Sequence, residues 1–144
     1  AAAAAAAAAV AGSATPVRAD ELPGGTIIST GRASFTVPEG FERFSKPVKT
    51  HLEEGNARST TVKGFTLGVA VDPVKLESLA KFGDPEFVAD RVVKVEKGRD
   101  GVTAVRLVAA RAMTVDGVDY YELEYDSEST RGYNHVLSRL TIQE

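Results

Sequence analysis

The stretch VDPVKLESLAKFGDPEFVADRV, from Val71 to Val92, decides the fold. It carries two helix-start signals in succession. Asp72-Pro73 puts an acceptor side chain at an N-cap and a proline at the first helical position, where a missing N–H costs nothing. Leu76, Leu79 and Ala80 follow at helical spacing, and Gly83 suits the residue after a helix end. Asp84-Pro85 repeats the signal. Phe87, Val88, Val92 and Val95 then supply the apolar stripe of a second helix running to Gly98. The spacing predicts two helices meeting at a corner made by Phe82, Gly83, Asp84 and Pro85.

On both sides of this corner the period changes from helical to alternating. Downstream, Val105, Leu107, Ala109, Met113 and Val115 fall on one strand face. Asp116-Gly117 is a type I′ hairpin signal, since both central residues of that turn need positive φ. Tyr121, Leu123 and Tyr125 form the inward face of the return strand, and Val136, Ser138, Leu140 and Ile142 one face of a last strand from Tyr133 to Ile142. Upstream, Thr26 to Thr30 is a short β-rich run. Ala33 to Pro38 alternates, with Phe35 and Val37 on one side, and Phe41 and Phe44 pack back after a turn at Pro38-Glu39-Gly40. Val48 to Leu52 reads as a strand, Glu53-Glu54-Gly55-Asn56 as a turn, and Thr60 to Val71 as a further strand marked by Gly64 and Gly68. Hairpin-linked strands with helices segregated between two groups of them indicate an α+β fold around an antiparallel sheet.

The chain has 144 residues, 17 basic and 20 acidic, for a net charge of −3, with 43 % apolar residues. This is the balance of one globular domain, and it lacks the dense basic face of a general nucleic-acid binder. The absence of cysteine excludes a disulfide scaffold, a thiol nucleophile and any cysteine-ligated metal. The first nine residues are alanine. A lone helix of that length is marginal in water. The run reads as the apolar part of a targeting peptide, with a free helix as the alternative, followed by Gly12 to Pro16 and by small residues, Val17 and Ala19, at positions −3 and −1 of a cleavage site. Residues 1–19 are thus expected to be a targeting remnant, 20–32 a flexible entry, and 33–144 the domain. Cleavage after Ala19 removes Arg18 and leaves the chain one unit more acidic.

No residue pattern marks a catalytic centre. There is no GxSxG elbow, no phosphate-loop spacing around Gly98-Arg99-Asp100-Gly101, and neither His51 nor His135 belongs to a histidine ligand pair. Asp119, Glu122, Glu124, Asp126 and Glu128 crowd one strand. Glu122, Glu124 and Asp126 share a face, which attracts a cation in one reading and is a solvated strand face in the other, favoured one. The residues alone describe a binding or structural domain.

Four segments, in order, resemble the PsbP family: ASFTVPEGF (Ala33 to Phe41), the Val71 to Val92 run with its corner Phe82, Gly83, Pro85, Glu86 and Phe87, VDGVDYYELEY (Val115 to Tyr125), and GYNHVLSRLTI (Gly132 to Ile142). The resemblance implies an α-β-α sandwich with a central antiparallel sheet, and a non-catalytic extrinsic protein of the chloroplast thylakoid lumen. Such proteins serve photosystem II on its oxygen-evolving side or in assembly, with an indirect part in Ca²⁺ and Cl⁻ retention. Lys46, Lys49, Arg58, Lys63, Arg99, Arg131 and His135 are then the candidates for contact with acidic lumenal loops, and His135 also for a metal. No bound cofactor is expected. Two departures stand out. The segment after Ala19, DELPGGTIIST, is acidic and lacks the lysines of the founding member's arm. The family's strand and helix beyond the histidine strand, with the aspartate that pairs with the histidine, have no counterpart up to Glu144, which predicts an exposed edge on the last strand. Alternatives are a photosystem I assembly factor, a subunit of the thylakoid NDH complex, or a general protein-interaction module, since a related sandwich occurs in a small-GTPase-binding protein of nuclear transport.

Overall fold

A computed structural model describes residues 2–8, 25–45, 49 and 51–143. The strands are β1 (Ala2–Ala8), β2 (Thr26–Ser29), β3 (Ser34–Val37), β4 (Phe41–Phe44), β5 (Glu53–Ser59), β6 (Thr66–Val74), β7 (Val102–Val115), β8 (Val118–Ser129) and β9 (Gly132–Gln143). Among the described residues one α-helix, α1 (Pro85–Lys97), follows a 3₁₀ turn at Leu79–Lys81. Seven strands form an antiparallel sheet in the order β4-β5-β6-β1-β9-β8-β7, and β2 pairs with β3 as a separate hairpin. The α+β class expected from the sequence is the one observed, but among the described residues one face of the sheet carries α1 and the other the β2–β3 hairpin, so the two helical layers of the implied α-β-α sandwich are not both present there.

The expected first helix does not form. Asp72 and Pro73 lie inside β6, and the 3₁₀ turn is all that follows before the corner. Val71 is the last β6 residue paired to β5, so Pro73 sits where that neighbour has ended and its missing N–H forfeits no bond to it. Leu79 still reaches the core from the 3₁₀ turn. The second helix forms as read. Asp84 caps it by accepting a hydrogen bond from the Phe87 N–H at 2.7 Å, Pro85 occupies the first turn, and Lys94 and Lys97 lie in the last turn. Its inward stripe differs from the expected one. Val88, Ala89 and Val92 pack on Leu79, Tyr121 and Leu123, whereas Phe87 is half exposed and Val95 is 72 % exposed. At 100° per residue, Glu96 lies about 35° from the centre of the inward Val88, Ala89 and Val92 face and Val95 about 65°, and Glu96 Oε1 accepts from the Ser127 hydroxyl at 2.9 Å.

Gly55, expected in a turn, instead marks close approach within a strand, and Gly68, read as a bulge or close contact within a strand, is a close contact. Glu53 to Asn56 belongs to β5. A Cβ on Gly55 would stand 2.9 Å from Ile28 Cγ2, and one on Gly68 2.5 Å from Asn56 Oδ1. The turn between β5 and β6 falls later, where Gly64 has φ +81°. Thr26–Ser29, inside the segment read as a flexible entry, is a strand whose Ile28 is 2 % exposed. Ile28 and Val37 pack on Ala57 with Phe35, Phe41 and Leu67. Phe41 also meets the Phe65 ring edge-on, with centroids 5.2 Å apart. The expected strand from Val48 lies partly outside the described residues, and His51 and Leu52 are not in a strand.

On β7 the alternation is interrupted by an extra residue at Val108. Leu107 stands opposite Tyr125 and Ala110 opposite Leu123, so both face α1, while Ala109, Met113 and Val115 turn to the other side. The hairpin at Asp116-Gly117 has φ +50° and +79°, as its sequence demands. The Tyr121, Leu123 and Tyr125 row and the Val136, Ser138, Leu140 row oppose each other in register on the α1 face.

The Ala2–Ala8 run is extended, antiparallel to both β6 (Ala2↔Val74 to Ala8↔Gly68) and β9 (Ala3↔Gln143 to Ala8↔Ser138). Its backbone is satisfied from both sides, which overrides alanine's preference for helix. The exposed edge expected on β9 is therefore covered from Ser138 to Gln143. Register through β1 fixes the faces: Ala6 opposes both Ala70 and Leu140, and Ala5 opposes both Val71 and Thr141. Leu140 faces α1, so Val71 and Thr141 lie on the opposite side, and there the β2–β3 hairpin covers β5 and β6 through Gly55 and Ala57. No helix among the described residues is long and apolar enough to cross a membrane.

Asp84→Ala should lower stability by about 1 kcal/mol through loss of the N-cap. Urea denaturation followed by circular dichroism checks it, and an unchanged midpoint would show that the cap contributes nothing.

Candidate functional site

Alternation along β8 sends Tyr121, Leu123 and Tyr125 toward α1 and Glu122, Glu124 and Asp126 to the other face. The three carboxylates read from the sequence are therefore on one face, but they are not a bare solvated row. Each is met by cations from the flanking strands, because Arg106 and His135 stand opposite Asp126, and Arg111 and Arg139 opposite Glu122. Glu122 and Asp126 are 3 and 5 % exposed.

His135 sits between two of them. Its Nδ1 is 2.7 Å from Asp126 Oδ1 and its Nε2 3.0 Å from Glu124 Oε1. Both ring nitrogens face acceptors, and only the imidazolium can donate to both. Asp126 also pairs with Arg106. The Tyr133 hydroxyl, then His135 and Arg106, hold the Asp126 carboxyl at about 2. Asp126 in turn raises His135 and Tyr133 above their usual ranges. At Glu122, burial pushes the carboxyl up, but Arg139 and Arg111 outweigh it and leave the group lowered. His51 makes a simpler pair, its Nδ1 2.8 Å from Asp72 Oδ1.

Beside His135 a cleft of about 480 Å³ opens between the β5–β6 turn, the end of α1 and the start of β9. Lys63, Phe65, Arg99, Tyr125, Tyr133 and His135 line it. It lies in line with β1, which ends opposite Gly68 and Ser138. Burial, followed by the charge of Glu96, raises the Tyr125 phenol. Arg99 donates to Glu96 Oε2 at 2.9 Å.

Of the residues singled out in the sequence, His135, Lys63 and Arg99 come together at this cleft. Arg58 is elsewhere, on β5, where its Nε donates to Glu42 at 2.7 Å and its guanidinium lies 5.8 Å from the Phe44 ring centroid. Arg131 is at the β8–β9 turn, Lys49 is exposed, and Lys46 lies outside the described residues. No group of three His, Cys, Asp or Glu able to hold a metal occurs among the described residues, and the two carboxylates on His135 occupy opposite ring nitrogens rather than converging with it on one point. Arg106, Arg111, Arg139 and Tyr133 were not singled out. Their position opposite the β8 carboxylates follows from hairpin register, which the bulge at Val108 shifts for Arg111.

The pH dependence has two signs. Asp126 is lowered, so its contribution to stability is present above the ordinary carboxylate range and is lost as pH falls toward about 2. His135 is raised, so its contribution is complete below the ordinary imidazole range and is lost as pH climbs through the raised value. Asp126→Asn should bring the His135 titration, read by NMR, down toward the usual imidazole value. A titration that does not move would refute the ion pair.

The PsbP family matches this chain across residues 29–144. The chain is also 34 % identical over 100 residues to the PsbP domain-containing protein 2, chloroplastic, of Arabidopsis thaliana, a match covering 69 % of this chain and 41 % of that relative. The matched range takes in the corner before α1, the Asp116-Gly117 hairpin and β9, and the chain belongs to the PsbP family.

Proposed function

We propose that this chain is a non-catalytic extrinsic protein of the chloroplast thylakoid lumen that associates with photosystem II, on its oxygen-evolving side or in its assembly. Family membership over residues 29–144 carries the reading. The chloroplastic designation of the Arabidopsis relative supports the compartment, and the Val17 to Ala19 cleavage pattern supports export into the lumen. On this reading residues 1–19, β1 among them, are removed after Ala19, so β1 belongs to the uncleaved chain, and any role in Ca²⁺ and Cl⁻ retention is indirect, through the photosystem rather than a metal held by His135. Docking is polar. Basic side chains on the surface, Lys63 and Arg99 at the cleft among them, meet acidic lumenal loops, with steering that weakens as salt rises.

The acidic Asp20-Glu21 segment favours a second reading within the family, as a factor of photosystem I assembly or of the thylakoid NDH complex. Fractionation separates the two. The protein should sediment with photosystem II membranes and be released at ~1 M salt, where the screening length is about 3 Å. Co-purification with photosystem I or NDH subunits instead would transfer the assignment. Absence from every thylakoid fraction would end both readings.

A further inference from the structure

On the sheet face opposite α1, Glu122 lies beneath two guanidiniums. Its Oε1 accepts from Arg111 Nε at 2.8 Å and from Arg111 Nη2, and its Oε2 accepts from Arg139 Nε at 2.7 Å. One buried carboxylate between two arginines leaves the group one positive charge in excess. That charge stands outward, because the arginine side chains are 64 and 39 % exposed while the glutamate is 3 % exposed. Arg139 uses only its Nε on Glu122, and among the described residues its outer pair of nitrogens has no partner, which leaves a fork of donors. The next carboxylate along this face, Glu124, is engaged by His135, and on the other side the row is Met113, Tyr120 and Thr141, without an acid.

We infer that the Arg111–Glu122–Arg139 group is a docking point for a side-chain carboxylate of an acidic protein segment. The planar fork matches a carboxylate, and Glu122 holds both guanidiniums in place, so less freedom is lost on binding. Met113 and Tyr120 offer an apolar flank to the stem of an incoming Glu or Asp. A phosphate-bearing membrane surface fits less well, because Glu124, Asp126 and Glu128 on the same face repel a continuous anionic plane. The inference deepens the proposed docking on acidic loops by naming where one contact is made.

Hexaglutamate is the probe, titrated into the full chain at low ionic strength while the arginine Nε–Hε signals are followed by NMR. The Arg111 and Arg139 signals should move together. Arg139→Gln should weaken binding about tenfold, and Arg139→Lys should remain weak because it keeps the charge without the fork. The inference fails if the two arginine signals stay still, if Arg139→Gln binds like the parent, or if phosphatidylglycerol vesicles displace these signals and hexaglutamate does not. Failure here with salt-releasable binding to photosystem II membranes would reject this contact and leave the proposed function standing.

Discussion

The alternation of β8 is the constraint on which the rest depends. A strand has two faces and a period of two, so Tyr121-Glu122-Leu123-Glu124-Tyr125-Asp126 must send its apolar residues one way and its acids the other. The apolar side needs cover, and α1 provides it through Val88, Ala89 and Val92. The acidic side needs countercharge, and β7 and β9 provide it through Arg106, Arg111, His135 and Arg139. A one-residue slip would drive three carboxylates into the helix packing, so these ion pairs and the core specify the same register.

The structure also shows how a charged face can be buried without being a metal site or a catalytic one. Two of the three β8 carboxylates are nearly inaccessible, yet every one has a cationic partner supplied across the sheet. Partners on separate strands are fixed by backbone pairing before any side chain moves, so the charges begin in place. Tyr133 and His135 extend the arrangement to the rim of the cleft, where β9 meets the β5–β6 turn.

Much of this was legible from local chemistry. Asp84-Pro85 and Asp116-Gly117 depend on backbone rules that act within a few residues, and both elements formed as read. Reading failed where the deciding partner was distant. Asp72-Pro73 carries the same helix-start signal as Asp84-Pro85, but pairing with β1 holds it extended. Glu53 to Asn56 looks like a turn because it contains Gly and Asn, whereas Gly55 is required by the approach of Ile28 from another hairpin. The alternation of β7 is correct up to Leu107 and inverted beyond it, because a single bulge leaves no mark in composition. The candidate site divided the same way. The acids were visible as a periodic row, but their arginine partners required a register that sequence does not state.

In the uncleaved chain the placement of β1 has a mechanical consequence. It joins the β4-β5-β6 half of the sheet to the β9-β8-β7 half, and it does so with seven identical residues. A heteropolymeric strand resists sliding because a shift changes which side chains meet. An alanine run presents the same residue after a shift of any length, so nothing in its sequence locks the join. The seam between the halves is thus the most weakly specified line in the sheet, and each half, with its own hydrophobic cluster, is suited to open and close as a separate cooperative unit.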